Sequence, residues 1–390
     1  IREIHCPILY LGPHNDFNGM IDQLFMNWKE MPSESIHFSI SPHLNHRHVS
    51  ESDFAGPHFF DCVLKGKGTF PETPLLEVNL KTADGVPQAT VRPDRPSEVA
   101  KVEIYYSVDP HGITRFWRSA EASRVGDSWT AACPITSTEL PLFVIANVHY
   151  PLAEPLVGPP WNRQSPDHFL VSSWQLDFDS DELVAAGVRA TDPPERMIVE
   201  DFSDWQDWYQ LNPGNSHHHL AATRKIKDPK WRGPDGAKLA IDVLAPTGGE
   251  LAMTFELASW SCYAGVPQGR YFVAKPLTAS GDWQTVEIAL SDLKPLDDRS
   301  RTGLASWQYL TELAITAAVR TRENGRDVVR AGGEWPANRQ FRQLRWVGGS
   351  QPEQLLLPGA AISKAEFEKI FQQSIDESVN QEKRDAALAE

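Results

Sequence analysis

Two hydrophobic periods divide this chain. In residues 6–48 the apolar positions come first as a strand-like run (7–11) that stops at Gly-Pro-His-Asn-Asp. They then recur at helical spacing (Met20, Leu24, Phe25, Trp28), and return as a second strand-like run (35–40) leading into Leu-Asn-His-Arg-His. Two buried strands joined by a helix of this length predict one right-handed βαβ unit, whose strands end side by side. Asp16, His46 and His48 fall just past those ends, where open α/β sheets place their chemistry. Residues 50–68 predict a further helix, with Phe54, Phe59, Phe60, Val63 and Leu64 as its inward face and Gly66 as its C-cap.

From Thr73 the period changes to two. Short runs at 76–80, 102–108, 114–118, 128–132 and 142–150 alternate apolar with polar residues and are separated by Asp-Gly, Asp-Pro-His-Gly and Gly-Asp turns. That spacing predicts an Ig-like or fibronectin-like β-sandwich over residues 71–152, with Trp117 and Trp129 in its core. Residues 153–196 are rich in proline and acid and read as a connection closed by Pro193-Pro194. At least six more strand-like runs fill residues 197–350, enough for a jelly roll. Residues 351–390 read as a helical tail, with Ser363 and Glu366 as a capping box before Phe367, Ile370, Phe371 and Ile375.

Composition narrows the partners. A net charge of −15 speaks against nucleic acid, whose phosphates need a basic footprint. No apolar run reaches the about eighteen residues that would span a bilayer, so no membrane partner is expected. Thirteen tryptophans suit β-sandwich cores and sugar-stacking surfaces alike. The cysteines, Cys6, Cys62, Cys133 and Cys262, show no C-x-x-C spacing and are either thiols or at most two bridges.

The words Cys-Pro-Ile-Leu-Tyr-Leu-Gly and Asn-Asp-Phe resemble the acid-bearing strand of α/β-hydrolases of the dienelactone hydrolase, acetylxylan esterase and PhoPQ-activated pathogenicity-related group. The resemblance implies that Asp16 orients an imidazole and that His46 takes the proton of a serine nucleophile, with His48 as the alternative base. The competing structural roles are a helix N-cap for Asp16 and local loop hydrogen bonds for the histidines. No Gly-x-Ser-x-Gly occurs, and Ser259, Ser261 and Ser350 lie in β-type sequence without a strand–turn–helix elbow. The serine is therefore expected on a preceding N-terminal hydrolase segment or a separate chain, and residues 1–70 are read as the C-terminal part of that domain. The fold class expected is a fragment of an α/β-hydrolase sheet followed by two all-β sandwich domains.

Residues 197–350 resemble galactose-binding-like carbohydrate-binding modules in layout, which implies a polysaccharide partner. Trp205, Trp208, Tyr209, Trp260, Tyr263 and Trp307 are the candidate stacking rings, with Trp260 and Tyr263 the least core-like. Glu200, Asp201 and Asp204 could hold a structural Ca²⁺, since hard cations need several oxygens; no cofactor is expected for catalysis. His217, His218 and His219 cannot converge on one ion from a regular strand and are read as a surface loop. The leading expectation is a secreted or periplasmic bacterial serine esterase. A non-catalytic carbohydrate-binding scaffold and a peptidase of the same fold are the alternatives.

Overall fold

A computed structural model describes residues 3–16, 19, 21–157, 166–193, 197–205, 207–211, 220–257, 269–296, 304, 306–324, 326–333 and 338–350. The expected βαβ unit forms as β1 (Ile8–Pro13), α1 (Ile21–Trp28) and β2 (Ile36–Ser41). The strands run parallel, Ile8 opposite Ile36 and Pro13 opposite Ser41. Period-two alternation gives β2 two unlike faces. Phe38 and Ile40 meet Ile21, Phe25 and Trp28 of α1, while Ser39 and Ser41 each donate to the Ser52 hydroxyl of α2 (Ser50–Lys65), at 3.0 and 3.1 Å. Gly66 caps α2 in the left-handed conformation (φ 64°), as expected.

The inward face of α2 differs from the expectation. Ser52, Phe54, Ala55, Gly56, Phe59 and Cys62 are buried, whereas Phe60, Val63 and Leu64 are exposed at 57%, 40% and 74%. Phe59 and Phe60 are one residue apart, about 100° around a helix, so one sheet cannot receive both. The sheet takes Phe59 with Ala55 and Cys62.

The chain continues through β3 (Leu75–Asn79), β4 (Gln88–Arg92), β5 (Lys101–Ser107), β6 (Arg118–Ala120), β7 (Ser123–Val125) and β8 (Ser128–Ala132). It then forms β9 (Leu142–Pro151), β10 (His168–Ser172), β11 (Leu176–Phe178) and α3 (Ser180–Ala186). Among the described residues one sheet has the order β1-β2-β10-β9-β5-β6, with β11 also on β9, and it faces a second sheet, β3-β4-β8-β7. The expected boundary near residue 70 is thus not a sheet boundary, because β10 pairs with β2. Residues 153–196 are not a plain connection either; they supply β10, β11 and α3. The reason is the far edge of β2, whose backbone groups need partners once buried. Ser172 Oγ receives Ile40 N–H at 2.8 Å and Asn147 Nδ2 donates to Ile40 O at 3.0 Å, which welds the seam.

A cross-strand pair on this sheet carries a pH dependence. Burial alone would raise Glu103, but its 2.8 Å contact with His149, helped by Lys101, outweighs burial and holds the carboxyl at about 2. A carboxyl depressed from 4.5 contributes stability that is present above pH 4.5 and is lost as pH falls through about 2. Thermal unfolding followed from pH 6 to pH 2 should show this loss, and Glu103→Gln should flatten that part of the profile.

The second unit comprises β12 (Ile198–Glu200), β13 (Tyr209–Leu211), β14 (Leu220–Thr223), β15 (Lys238–Leu244), β16 (Gly249–Leu257) and β17 (Gly269–Leu277). It ends with β18 (Trp283–Ile288), β19 (Lys294–Pro295), β20 (Glu312–Thr316), β21 (Ala318–Glu323), β22 (Arg326–Gly332) and β23 (Gln340–Val347). Among the described residues its strands form a four-stranded sheet, β12-β23-β15-β18, a six-stranded sheet, β13-β14-β20-β16-β17-β19, and a hairpin, β21-β22. Leu239, Ile241 and Val243 of β15 meet Met253, Phe255, Leu313 and Ile315 across the core, the every-second-residue pattern that the sequence shows.

Candidate acid–base site

The site begins where β1 runs out. His14 N–H still extends the ladder to Ser41 O at 2.9 Å, and Asn15 N–H reaches Leu44 O at 3.1 Å, so the two post-strand loops stay laced together. The Asn15 amide donates to Gly112 O (3.0 Å) and Arg115 O (2.8 Å), which pins the turn before Asp16 to the loop after β5. On the second loop His43 and His46 both adopt left-handed backbone (φ 57° and 53°), a conformation that costs a non-glycine residue about 1 kcal/mol or more.

The result brings Asp16 to His46. His46 Nδ1 lies 3.2 and 3.3 Å from the two Asp16 oxygens. An ionised carboxylate only accepts, so Nδ1 carries the proton and the opposite ring nitrogen, Nε2, is left as the basic one. Asp16 is nearly buried, while the His46 side chain is 58% exposed. Asp16 stands five residues ahead of Ile21, out of N-cap position for α1. His48 goes elsewhere: its Nδ1 is 3.2 Å from Asp53 in the first turn of α2. The geometry therefore separates the two candidate bases and pairs His46 with the acid.

Two further imidazoles lie underneath. His14 is fully buried, 4.6 Å from the Trp117 ring and 5.5 Å from Tyr105, and His43 is stacked on Phe116 at 5.6 Å. Burial, with nearby positive charge from Arg115 and Arg224 respectively, lowers both from the usual histidine range and keeps them neutral. Arg115 is itself fully buried and grips Asp22 of α1 with two bonds of 2.8 Å.

The second unit walls the loop on its far side. Arg224 Nη1 donates to His43 O at 3.0 Å, Arg224 Nη2 lies 3.2 Å from Glu312, and the Tyr209 hydroxyl binds the same carboxylate. Leu44 packs on Tyr209, Ala222 and Ala314. Burial, reinforced by Glu256, raises Glu312 to about 6 despite Arg224. Beside this wall a 3₁₀ turn (Lys225–Lys227) carries more charge into the contact between units. Lys227 Nζ lies 2.7 Å from Asp109, Arg118 binds Asp228 and Asp192, and Lys230 also reaches Asp192. Burial pulls Lys227 down to about 8, although Asp109 opposes it.

These residues were missed by sequence reasoning. The signal was present: Arg224, Lys225, Lys227, Lys230 and Arg232 crowd nine positions of an acidic chain. Such a run suggests a solvated face, yet all but the half-buried Lys230 are buried.

The candidate ligand residues fare differently. Trp208 is buried in the core with Nε1 donating to Glu200 at 3.0 Å, and Trp205 rests on Phe202 and Trp208, so both rings are committed to packing. Trp307 is likewise core. Trp260, Tyr263 and His217–His219 lie outside the described residues, as does the tail 351–390. The calcium expectation does not fit. One Glu200 oxygen accepts from Asp201 and Phe202 N–H, and the other accepts from Trp208 Nε1 and the Lys225 ammonium. Asp201 is turned to Ser203 N–H. Among the described residues no group of three acidic, histidine or cysteine side chains is arranged for a metal. Cys6, Cys62 and Cys133 are unbridged.

No protein-family model and no curated protein matches the chain. One solved structure, from work on the promiscuous specificity of carbohydrate-binding modules of the beta-sandwich super family, is similar at 7% identity and a TM-score of 0.17. That overlap covers 72% of this chain and 100% of the other. At that score the overlap says nothing of fold or ligand.

Proposed function

We propose that this chain supplies the acid and base of a serine-hydrolase site that cleaves an ester, with the nucleophilic serine on a segment outside it. The observation that carries this reading is the contact of His46 Nδ1 with both oxygens of Asp16, at the ends of adjacent parallel strands. In the reaction Nε2 of His46 takes the serine proton as the serine oxygen bonds to the ester carbonyl. The imidazolium, held by Asp16, then returns that proton to the departing alcohol, and a water repeats the cycle to release the acid. Triad geometry does not separate ester from amide; the ester preference, the carbohydrate character of the substrate and a secreted or periplasmic bacterial setting rest on the sequence resemblance.

Room for such a segment exists along the β1 edge of the sheet. Among the described residues the outer edge of β1 has no strand beside it, and α2, which packs across β1, β2 and β10, exposes Phe60, Val63 and Leu64. An added strand and helix would cover both, as edges and apolar patches ordinarily require.

The test is fluorophosphonate labelling of the purified chain together with whatever co-purifies. We expect a serine on an accompanying polypeptide to label, with the rate falling about 10³-fold or more in His46→Ala and unchanged in His48→Ala. Labelling that survives His46→Ala, or a folded preparation that never labels, overturns the reading and leaves the scaffold alternative. Turnover of an acetylated sugar against a peptide anilide then decides between esterase and peptidase.

A further inference from the structure

We propose that Arg224 is a positioning residue for the acid–base pair: the second sandwich, through Arg224 and the surface under Leu44, holds the loop that presents His46 to Asp16. This rests on reading Asp16 and His46 as a pair, but it needs no serine.

The loop from Pro42 to His48 contains two non-glycine residues in left-handed backbone, three positions apart. Each is an unfavourable conformation for a residue with a side chain and persists only where the surroundings over-determine it. Relaxing His43 or His46 toward ordinary φ would swing the imidazole away from Asp16, because the side chain leaves Cα in a different direction. The first unit ties the loop through Leu44 N–H to Pro42 O, Asn15 N–H to Leu44 O, Val49 N–H to Ser41 Oγ at 2.9 Å, and the His43 ring, which packs on Phe116 and Tyr105. Its middle is held from the second unit as well. Arg224 donates to the carbonyl of His43, one of the two strained residues, and Leu44 sits on Tyr209, Ala222 and Ala314 of the facing sheet.

Arg224 suits this duty because it is held itself. Its guanidinium lies 5.0 Å from the Tyr209 ring centre and 3.2 Å from Glu312, which shares the Tyr209 hydroxyl. A planar fork gripped on one edge aims its other edge without further loss of freedom, which a lysine could not do. The carbonyl it grips is buried, so without Arg224 that oxygen would lack this partner and the strained turn would lose its anchor. The second sandwich is thereby part of the candidate site, not only an appended module.

The experiment is ¹⁵N NMR of histidine-labelled full-length chain at neutral pH, reading which ring nitrogen of His46 carries the proton. The signal is assigned by its absence in His46→Gln, and Asp16→Ala gives the unpaired reference. The parent should show the Nδ1–H form, and Arg224→Met should shift to the Asp16→Ala pattern while methyl and tryptophan signals of both cores remain. A folded Arg224→Met with the parent pattern overturns the proposal, as does a parent without the Nδ1–H form. Should Arg224→Met fail to fold, Arg224→Lys and Leu44→Ala decide by the same readout: the parent pattern kept in both overturns it, and its loss in either supports it. A preparation silent to fluorophosphonate leaves these tautomer readings intact, so failure of the hydrolase reading and failure of this one are told apart.

Discussion

Arg118→Ala is expected to cost about 3–5 kcal/mol of folding stability and to uncouple the two units. Arg118 leaves β6 and meets Asp228 with two bonds, Nε to Oδ2 at 2.8 Å and Nη2 to Oδ1 at 2.6 Å, and donates to Asp192 at 2.9 Å. Its side chain is 2% exposed and that of Asp228 is 1% exposed. Burial alone would disfavour the charged guanidinium, but Asp228 and its neighbours reverse this and push it above the usual arginine range. Removing Arg118 leaves Asp228 buried with the Lys230 N–H but without its guanidinium partner, and breaking a buried pair from one side is the costly outcome. Urea unfolding followed by tryptophan fluorescence should show a lower midpoint and a transition that separates into two. The double variant Arg118→Ala/Asp228→Ala should lose less than the sum of the singles, because it buries no orphan charge. A single-variant loss under about 1 kcal/mol would place the pair with ordinary surface bridges and refute this account.

Trp307→Ala should be similarly severe, for a different reason. Trp307 is 2% exposed in the second core, its ring 5.2 Å from Trp346 and 5.9 Å from Phe255, and its Nε1 donates to Ala237 O at 2.7 Å. Gly233 opposite has no space for even a methyl group, since a Cβ there would lie 2.6 Å from Trp307 Cβ. Truncation opens a cavity and orphans a buried carbonyl, for about 3–5 kcal/mol or more. Trp307→Phe refills most of the volume and should recover a large part of the loss in the same urea assay. A sugar-stacking Trp307 would behave oppositely: little change in urea midpoint, with the effect confined to binding.

Tryptophan illustrates a limit of reading from sequence. Its ring serves a core and a sugar face equally well, and period alone puts Trp205, Trp208 and Trp307 among strands without saying which face is inside. The nearest packing partners settle it: Trp205 and Trp208 lean on Phe202, and Trp307 on Trp346. The basic run 224–232 shows the converse. Charge suggests solvent, but Asp109, Asp192 and Glu312 wait in distant parts of the chain, and only their convergence makes burial tolerable.

By itself the sequence determined the local elements: the β1–α1–β2 unit, the Gly66 cap, most strands of both sandwiches, and the placement of an acid and two histidines past adjacent strand ends. These follow from side-chain period, turn residues and strand polarity, which act within a few positions of the chain. The tertiary structure alone decided that β10 joins β2, that α2 turns Phe59 inward and Phe60 outward, that His46 and not His48 meets Asp16, and that Arg224 braces the loop between them. Each of those is a choice among partners far apart in sequence, made by burying backbone groups and charges where their complements lie, and no local pattern encodes it.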